Sequence, residues 1–306
     1  MTETRLIVNA DDFGMSRGIT DGIILAHRYR FLTSASLMAN MPAAEYAAAR
    51  ASTVPRLGVG VHLNICAGRP LLPPGDVPSL VDSRGNFHPP SVMIRKLWTF
   101  RAAGREIEAE FRAQIQWMKS RGVAPTHADS HHHMHIYPAA VAPFVRALAA
   151  EGIRCARAPR SSVWPAPRGI GGPHEGSAVR RLSVQAYRSA LQRVAFRSLD
   201  MPASRISFLS RDRHDLAALG ESWKAAIANL PSGTFELACH PGLFERGFSE
   251  TDRIHVQREQ ELHWLTDREW IDVIHRSGVR LITYRDLAGA PAAEPATAET
   301  EAHALQ

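Results

Sequence analysis

The sequence predicts an α/β protein: a (β/α) barrel of about seven strands, TIM-barrel-like and forming a single domain. Three observations carry that expectation. Short apolar runs alternate with helix-length amphipathic stretches about seven times along the chain, and helix-separated strands form parallel sheets with right-handed crossovers. The 306 residues suit one such barrel, which typically takes about 250. The apolar runs also end in polar residues, Asp11/Asp12, His62, Asp129/His131, Arg157 and His240. In a parallel barrel these ends gather on the rim that carries the chemistry.

Leu6-Ile7-Val8-Asn9-Ala10 is the first strand and runs into Asp11-Asp12-Phe13-Gly14. Ser16 is placed to cap a helix whose apolar face is Ile19, Ile23, Ile24 and Ala26. Phe31–Met38 and Leu57–Asn64 are the next two strands, separated by an alanine-rich helix over residues 43–51. Residues 68–92 hold nine prolines and glycines and read as a long structured loop of the kind that serves binding sites. Helical periodicity returns over 93–121, and Gly122 stops it. Thr126 then leads into the histidine segment, followed by a helix over 138–150 and a short strand at Ile153–Arg157. Residues 159–177 are irregular and carry Trp164 and His174. Further helices are expected over 178–199, 216–230 and 252–277, and strands at 205–209, 233–240 and 279–284. The barrel is assigned to residues 1–288. The Ala-, Pro-, Glu- and Thr-rich tail, 289–306, is expected to be disordered.

Composition narrows the function classes. Hydrophobic content of 45% and charged content of 22% are those of a globular protein. No apolar run is long enough to span a membrane, and the N-terminus lacks the features of a secretory signal, so the expected location is cytoplasmic. Cys66, Cys155 and Cys239 are far apart and without a CxxC pattern, which indicates neither a zinc ribbon nor a disulfide framework. The formal charge of +6 is compatible with peripheral contact with an anionic membrane, but the arginines are scattered and no recognition element accompanies them, so no specific nucleic-acid partner is expected. Assembly as a homo-oligomer is compatible with the sequence.

The densest chemical signal is Ala128-Asp129-Ser130-His131-His132-His133-Met134-His135. An extended backbone here would put Asp129, His131, His133 and His135 on one side. Imidazoles beside a carboxylate are costly to bury without a cation or acid partner. Two adjacent carboxylates, Asp11 and Asp12, repel unless one binds a cation or shares a proton. One carboxylate with two histidines and open positions for water is a catalytic rather than a structural metal set. A second, unligated carboxylate can then take a proton from the water. His240 or a histidine of the cluster could protonate a leaving nitrogen. No GxSxG nucleophile and no P-loop competes.

Four segments, Asn9–Gly14, Gly60–Asn64, Thr126–His135 and Cys239–Gly242, resemble in order the motifs of the YdjC-like carbohydrate deacetylases. The resemblance covers about residues 5–287. It implies a distorted (β/α) barrel that hydrolyses an N-acetyl group from an amino sugar with one divalent metal per chain. It assigns Asp12, His62 and His131 to the metal and Asp11 to the general base; His240 remains the candidate acid on chemical grounds. The family is described with Mg2+, whereas this ligand set would suit Zn2+ by softness. The implied partner is an N-acetylated oligosaccharide or glycolipid. Arg30–Met38 and the long loops are similar to a branch associated with hopanoid biosynthesis. Two alternatives share the residues: a phosphoesterase-type metal hydrolase, and a catalytically silent sugar-binding barrel.

Overall fold

The structure, a computed structural model, describes residues 3–160, 178–206, 216–250 and 252–287. Seven parallel strands are present among these residues: β1 (Thr4–Phe13), β2 (Ser34–Leu37), β3 (Gly58–Leu63), β4 (Ala128–Ser130), β5 (Ser204–Ile206), β6 (Gly233–Cys239) and β7 (Arg280–Leu281). Their order is β4-β3-β2-β1-β6-β5, with β7 beside the first half of β1. The sheet curls until its edges are bridged by the stretch that follows the histidine segment. On one edge the Ala128 amide of β4 donates to Cys155 and the Arg157 amide donates back to Ala128; on the other edge the amides of Ala156 and Arg205 donate to Asp200 and Arg160. The expected distorted barrel of about seven strands is therefore observed.

Apart from the two-residue β7, the strands are buried on both faces, as parallel strands are when helices cover the outside. On β1, Leu6, Val8 and Ala10 join the main core with α1 (Arg17–Arg28) and its Ile19, Ile23 and Ile24. Ser16 caps α1 as expected, its Oγ accepting from the Ile19 amide at 3.2 Å. The other face of β1 carries Ile7, Asn9 and Asp11. Ile7 packs with Cys155, Ile282 and Tyr284 at the closed end, and Asn9 and Asp11 enter a polar network described below.

The strand interior has little room. A Cβ on Gly60 would lie 2.4–2.6 Å from the His127 ring, and that ring is stacked on Tyr284 with centroids 3.8 Å apart. Gly60→Ala should therefore cost about 1–3 kcal/mol by overpacking. A urea midpoint equal to that of the unsubstituted protein would contradict this packing account.

After α2 (Ala44–Ala51), which links β2 to β3, α3 (Pro90–Trp98) and α4 (Gly104–Ser120) lie between β3 and β4 and split the single helical region read from the sequence. The long loop before them is tied down by one polar stripe on α4. Gln114 exchanges two hydrogen bonds with the backbone of Asn64, Glu110 accepts from the Leu71 and Leu72 amides, and Glu106 accepts from Ser79. These three side chains, four residues apart, share one helix face.

Residues 138–150 form α5 (Pro138–Ala150), and α6 (Ala178–Ala190) runs into a π-turn at Leu191–Ala195. Following α7 (Leu216–Ala228), the stretch read as one helix over 252–277 is two, α8 (His255–Thr266) and α9 (Arg268–Ser277). Asp267 breaks it with an extended backbone and caps α9 by accepting from the Glu269 amide. The last strand is shorter than expected because Tyr284 starts the one-turn helix α10 (Tyr284–Leu287). The 161–177 loop with Trp164 and His174, the end of the 205–209 strand and the tail from 288 lie outside the described residues.

Candidate active site

The two adjacent aspartates differ in surroundings because the strand beneath them is irregular. Ala10 pairs with Ala35 and Phe13 with Leu37, so β1 carries one extra residue between them. This bulge puts Asp12 in the left-handed region, φ 67°, a conformation seldom adopted outside glycine and one that clusters at functional sites. Asp11 and Asp12 consequently find different partners, and both are buried.

Asp12 meets the ends of β3 and β4. Its Oδ1 lies 3.1 Å from His131 Nδ1 and 3.6 Å from His62 Nε2. The three ligand atoms are mutually within 4.8 Å. Donors about 2.1 Å from a common ion stand about 3.0–3.4 Å apart along a tetrahedral or octahedral edge, so two of these spacings are close to those of a ligand set. Asp12 Oδ1 is also buried without a hydrogen-bond partner, which is costly unless something further is bound there. Its other oxygen, Oδ2, accepts from Arg258 at 2.7 Å. Burial alone would raise the Asp12 pKa; Arg258 and the two imidazoles override it and hold the carboxyl well below its ordinary value. The residues present therefore fit a divalent cation.

His62 is oriented from behind. Its Nδ1 lies 2.7 Å from Asp129 Oδ1, a carboxylate–histidine pair that directs Nε2 into the site. Burial would lower the His62 pKa, but Asp129 and Asp11 raise it to about 9. A cation that bound Nε2 would have to displace that proton.

Asp11 belongs to a second cluster centred on Arg157, which is fully buried. The guanidinium donates to both oxygens of Asp11, one of them at 2.8 Å, and contacts Asp129 Oδ2 at 2.7 Å and Glu236 Oε1 at 2.8 Å. Asn9 donates to Asp11 and to Ser36, and Ser36 donates to Asp129. Burial pushes the Asp11 pKa up, and Arg157 brings it back below its ordinary value, so Asp11 is ionised at neutral pH. His240 Nε2 stands 3.8 Å from Asp11 Oδ2. Burial lowers the His240 pKa, opposed by Asp11 and Asp12, and its Nδ1 is buried without a partner.

The histidine segment departs from the extended reading. β4 ends at Ser130, and His131–Ile136 form a tight turn with His132 and His133 at φ 51° and 54°. The four alternating side chains do not share a side. His131 turns to Asp12, His133 contacts Arg205, and His135 bonds Ser130 and stacks on Phe144 with ring centroids 4.7 Å apart. Burial lowers the pKa of His135 to about 3 and that of His133 well below its ordinary value. Both are neutral packing elements that brace the turn.

Residues 5–276 match the model of the YdjC-like protein family. The chain belongs to that family. Within it, the chain is 37% identical over 284 residues to a protein of Geobacillus stearothermophilus named carbohydrate deacetylase, covering 92% of this chain and 96% of that one. A Brevibacillus brevis protein of the same name is 32% identical, covering 92% and 99%. A crystal structure from Enterococcus faecalis V583, provisionally described as a cellobiose-phosphate cleavage protein, superposes with a TM-score of 0.75 at 24% identity, covering 94% and 99%. The two share a fold. Among the described residues of this YdjC-like chain, no helix is long and apolar enough to cross a membrane.

Sequence reading missed Glu236, Arg258, Asn9 and Ser36 as parts of the site. Glu236 was readable as an odd charge inside an apolar strand, and Asn9 likewise. Arg258 gave no signal, since an arginine on an amphipathic helix ordinarily faces solvent.

Proposed function

We propose that this chain is a metal-dependent hydrolase that removes the acetyl group from an N-acetylated amino sugar, in an oligosaccharide or a glycolipid. The observation that carries the reading is the orphaned Asp12 Oδ1 facing two imidazole nitrogens, with an ionised Asp11 beside it. The names of the relatives supply the substrate class. Asp12, His62 and His131 would hold one divalent cation, Mg2+ or Zn2+, which supplies Lewis acidity toward the amide carbonyl and the attacking water.

The chain's own residues do the rest. Asp11, ionised and clamped by Arg157, accepts the proton of the attacking water. Glu236 and Asp129 share the Arg157 charge, so Asp11 feels only part of the pull of that guanidinium. His240, at the end of β6 and 3.8 Å from Asp11, is placed to relay the proton taken up by Asp11 to the departing amine nitrogen. Asp129 fixes the His62 ring. The phosphoesterase alternative usually needs two or more ions. The second carboxylate–histidine group among the described residues, Asp11/His62/Asp129, shares His62 and has its carboxylates paired with Arg157, which argues against a second ion there.

Acetate release from a panel of N-acetylated oligosaccharides and glycolipids tests the reading. Activity should vanish on chelation and return on adding back Mg2+ or Zn2+. Acetate release unaffected by chelator, or phosphate-ester cleavage in its place, would contradict it.

A further inference from the structure

Arg258 lies on α8, away from the four motif segments, yet its side chain is buried in the site. NH2 donates to Asp12 Oδ2 at 2.7 Å and Nε donates to Asp252 Oδ2 at 2.6 Å. Its backbone carbonyl accepts from the Gly242 amide at 3.2 Å, which docks the helix on the loop carrying His240. The guanidinium is thus held from two sides while it occupies one oxygen of Asp12. The Asp12 backbone is itself fixed by the bulge at φ 67°, so the carboxylate has little freedom to turn its second oxygen inward.

We propose that Arg258 sets the ion selectivity of this site: by occupying Oδ2 it makes Asp12 a one-oxygen ligand, favouring a small ion that accepts nitrogen donors, such as Zn2+, over a large oxygen-seeking ion, such as Ca2+. This rests on the reading that Asp12, His62 and His131 hold a divalent cation. Ca2+ takes six to eight oxygens and often uses both oxygens of a carboxylate; Zn2+ is satisfied by about four donors, imidazole among them. A charge-assisted hydrogen bond from a buried arginine is strong enough to resist the switch to two-oxygen binding. The fixed positive charge also offsets that of Asp12, which penalises most an ion bound by charge alone.

Affinities for Zn2+ and Ca2+, measured on the full chain by competition with a chelating dye after stripping, test this. Arg258→Gln should reduce the ratio of Zn2+ to Ca2+ affinity at least about tenfold. Asp252→Asn, which loosens the guanidinium without removing it, should reduce it by a smaller factor, about threefold. Ratios within about twofold of the unsubstituted protein in both variants overturn the inference. If Arg258→Gln does not fold, Asp252→Asn decides alone, on the same threefold reduction or its absence. An unsubstituted protein that binds neither ion overturns the metal reading, and this inference with it; an unchanged ratio in a protein that binds both overturns this inference alone.

Discussion

Asp11→Asn should give a folded protein that still binds one divalent ion and releases acetate about 10²–10⁴-fold more slowly, the range for losing a general base. The substitution removes the one site carboxylate that the proposed mechanism uses to accept a proton, while the ligand atoms of Asp12, His62 and His131 are untouched. Folding survives because Arg157 keeps two other carboxylates, Asp129 and Glu236. The KM should move little and the kcat should carry the loss, since Asp11 acts on the water rather than on substrate binding. Equal turnover in the variant and the unsubstituted protein would assign the base elsewhere. Loss of the ion together with activity would mean that Asp11 is a ligand.

The largest effect on stability is expected at Arg157. Arg157→Met leaves Asp11, Asp129 and Glu236 facing one another in the interior without their cation, a change that costs about 3–5 kcal/mol when a buried charge is left unpaired. The pH dependence of that cost has a definite sign. In the unsubstituted protein Asp11 and Asp129 have folded pKa values below their ordinary ones. They contribute stability present above about pH 4 and lost as the pH falls through the folded values. In the variant, burial and mutual repulsion act unopposed by the guanidinium and raise these values, so stability should fall as the pH rises above about 4. The deficit should therefore be larger at pH 8 than at pH 5 in urea unfolding. An equal deficit at both would mean that Arg157 acts only by filling space.

The barrel was legible because its signals are additive: short apolar runs for the buried strands, helical periodicity between them and capping residues such as Ser16 depend on neighbours in sequence. The strand ends were legible too, and the structure brings Asp12, His62 and His131 to one point and Asp11 and His240 beside it. The histidine segment was misread where the backbone leaves ordinary conformations. His132 and His133 both adopt left-handed φ values, which local preference disfavours and only contacts from elsewhere can hold: Arg205 on His133, Phe144 and Ser130 on His135. The same holds at Asp12, whose bulge is visible only against β2. The break between α8 and α9 had a readable sign, since Asp267 precedes Glu269 in a capping arrangement, but the apolar periodicity on either side concealed it. Arg258 was out of reach of any local reading because its partner, Asp12, is 246 residues away.

The central claim is that side chains from β1, β3 and the end of β4 converge on one cation, and calorimetric titration of the metal-stripped protein with Zn2+ tests it most directly. One ion per chain should bind at pH 7.5, with release of a proton because His62, raised to about 9, must give one up. His62→Ala and His131→Ala should each weaken binding by about 100-fold or more. Absence of binding to the unsubstituted protein, or affinity unchanged in both variants, would contradict the account.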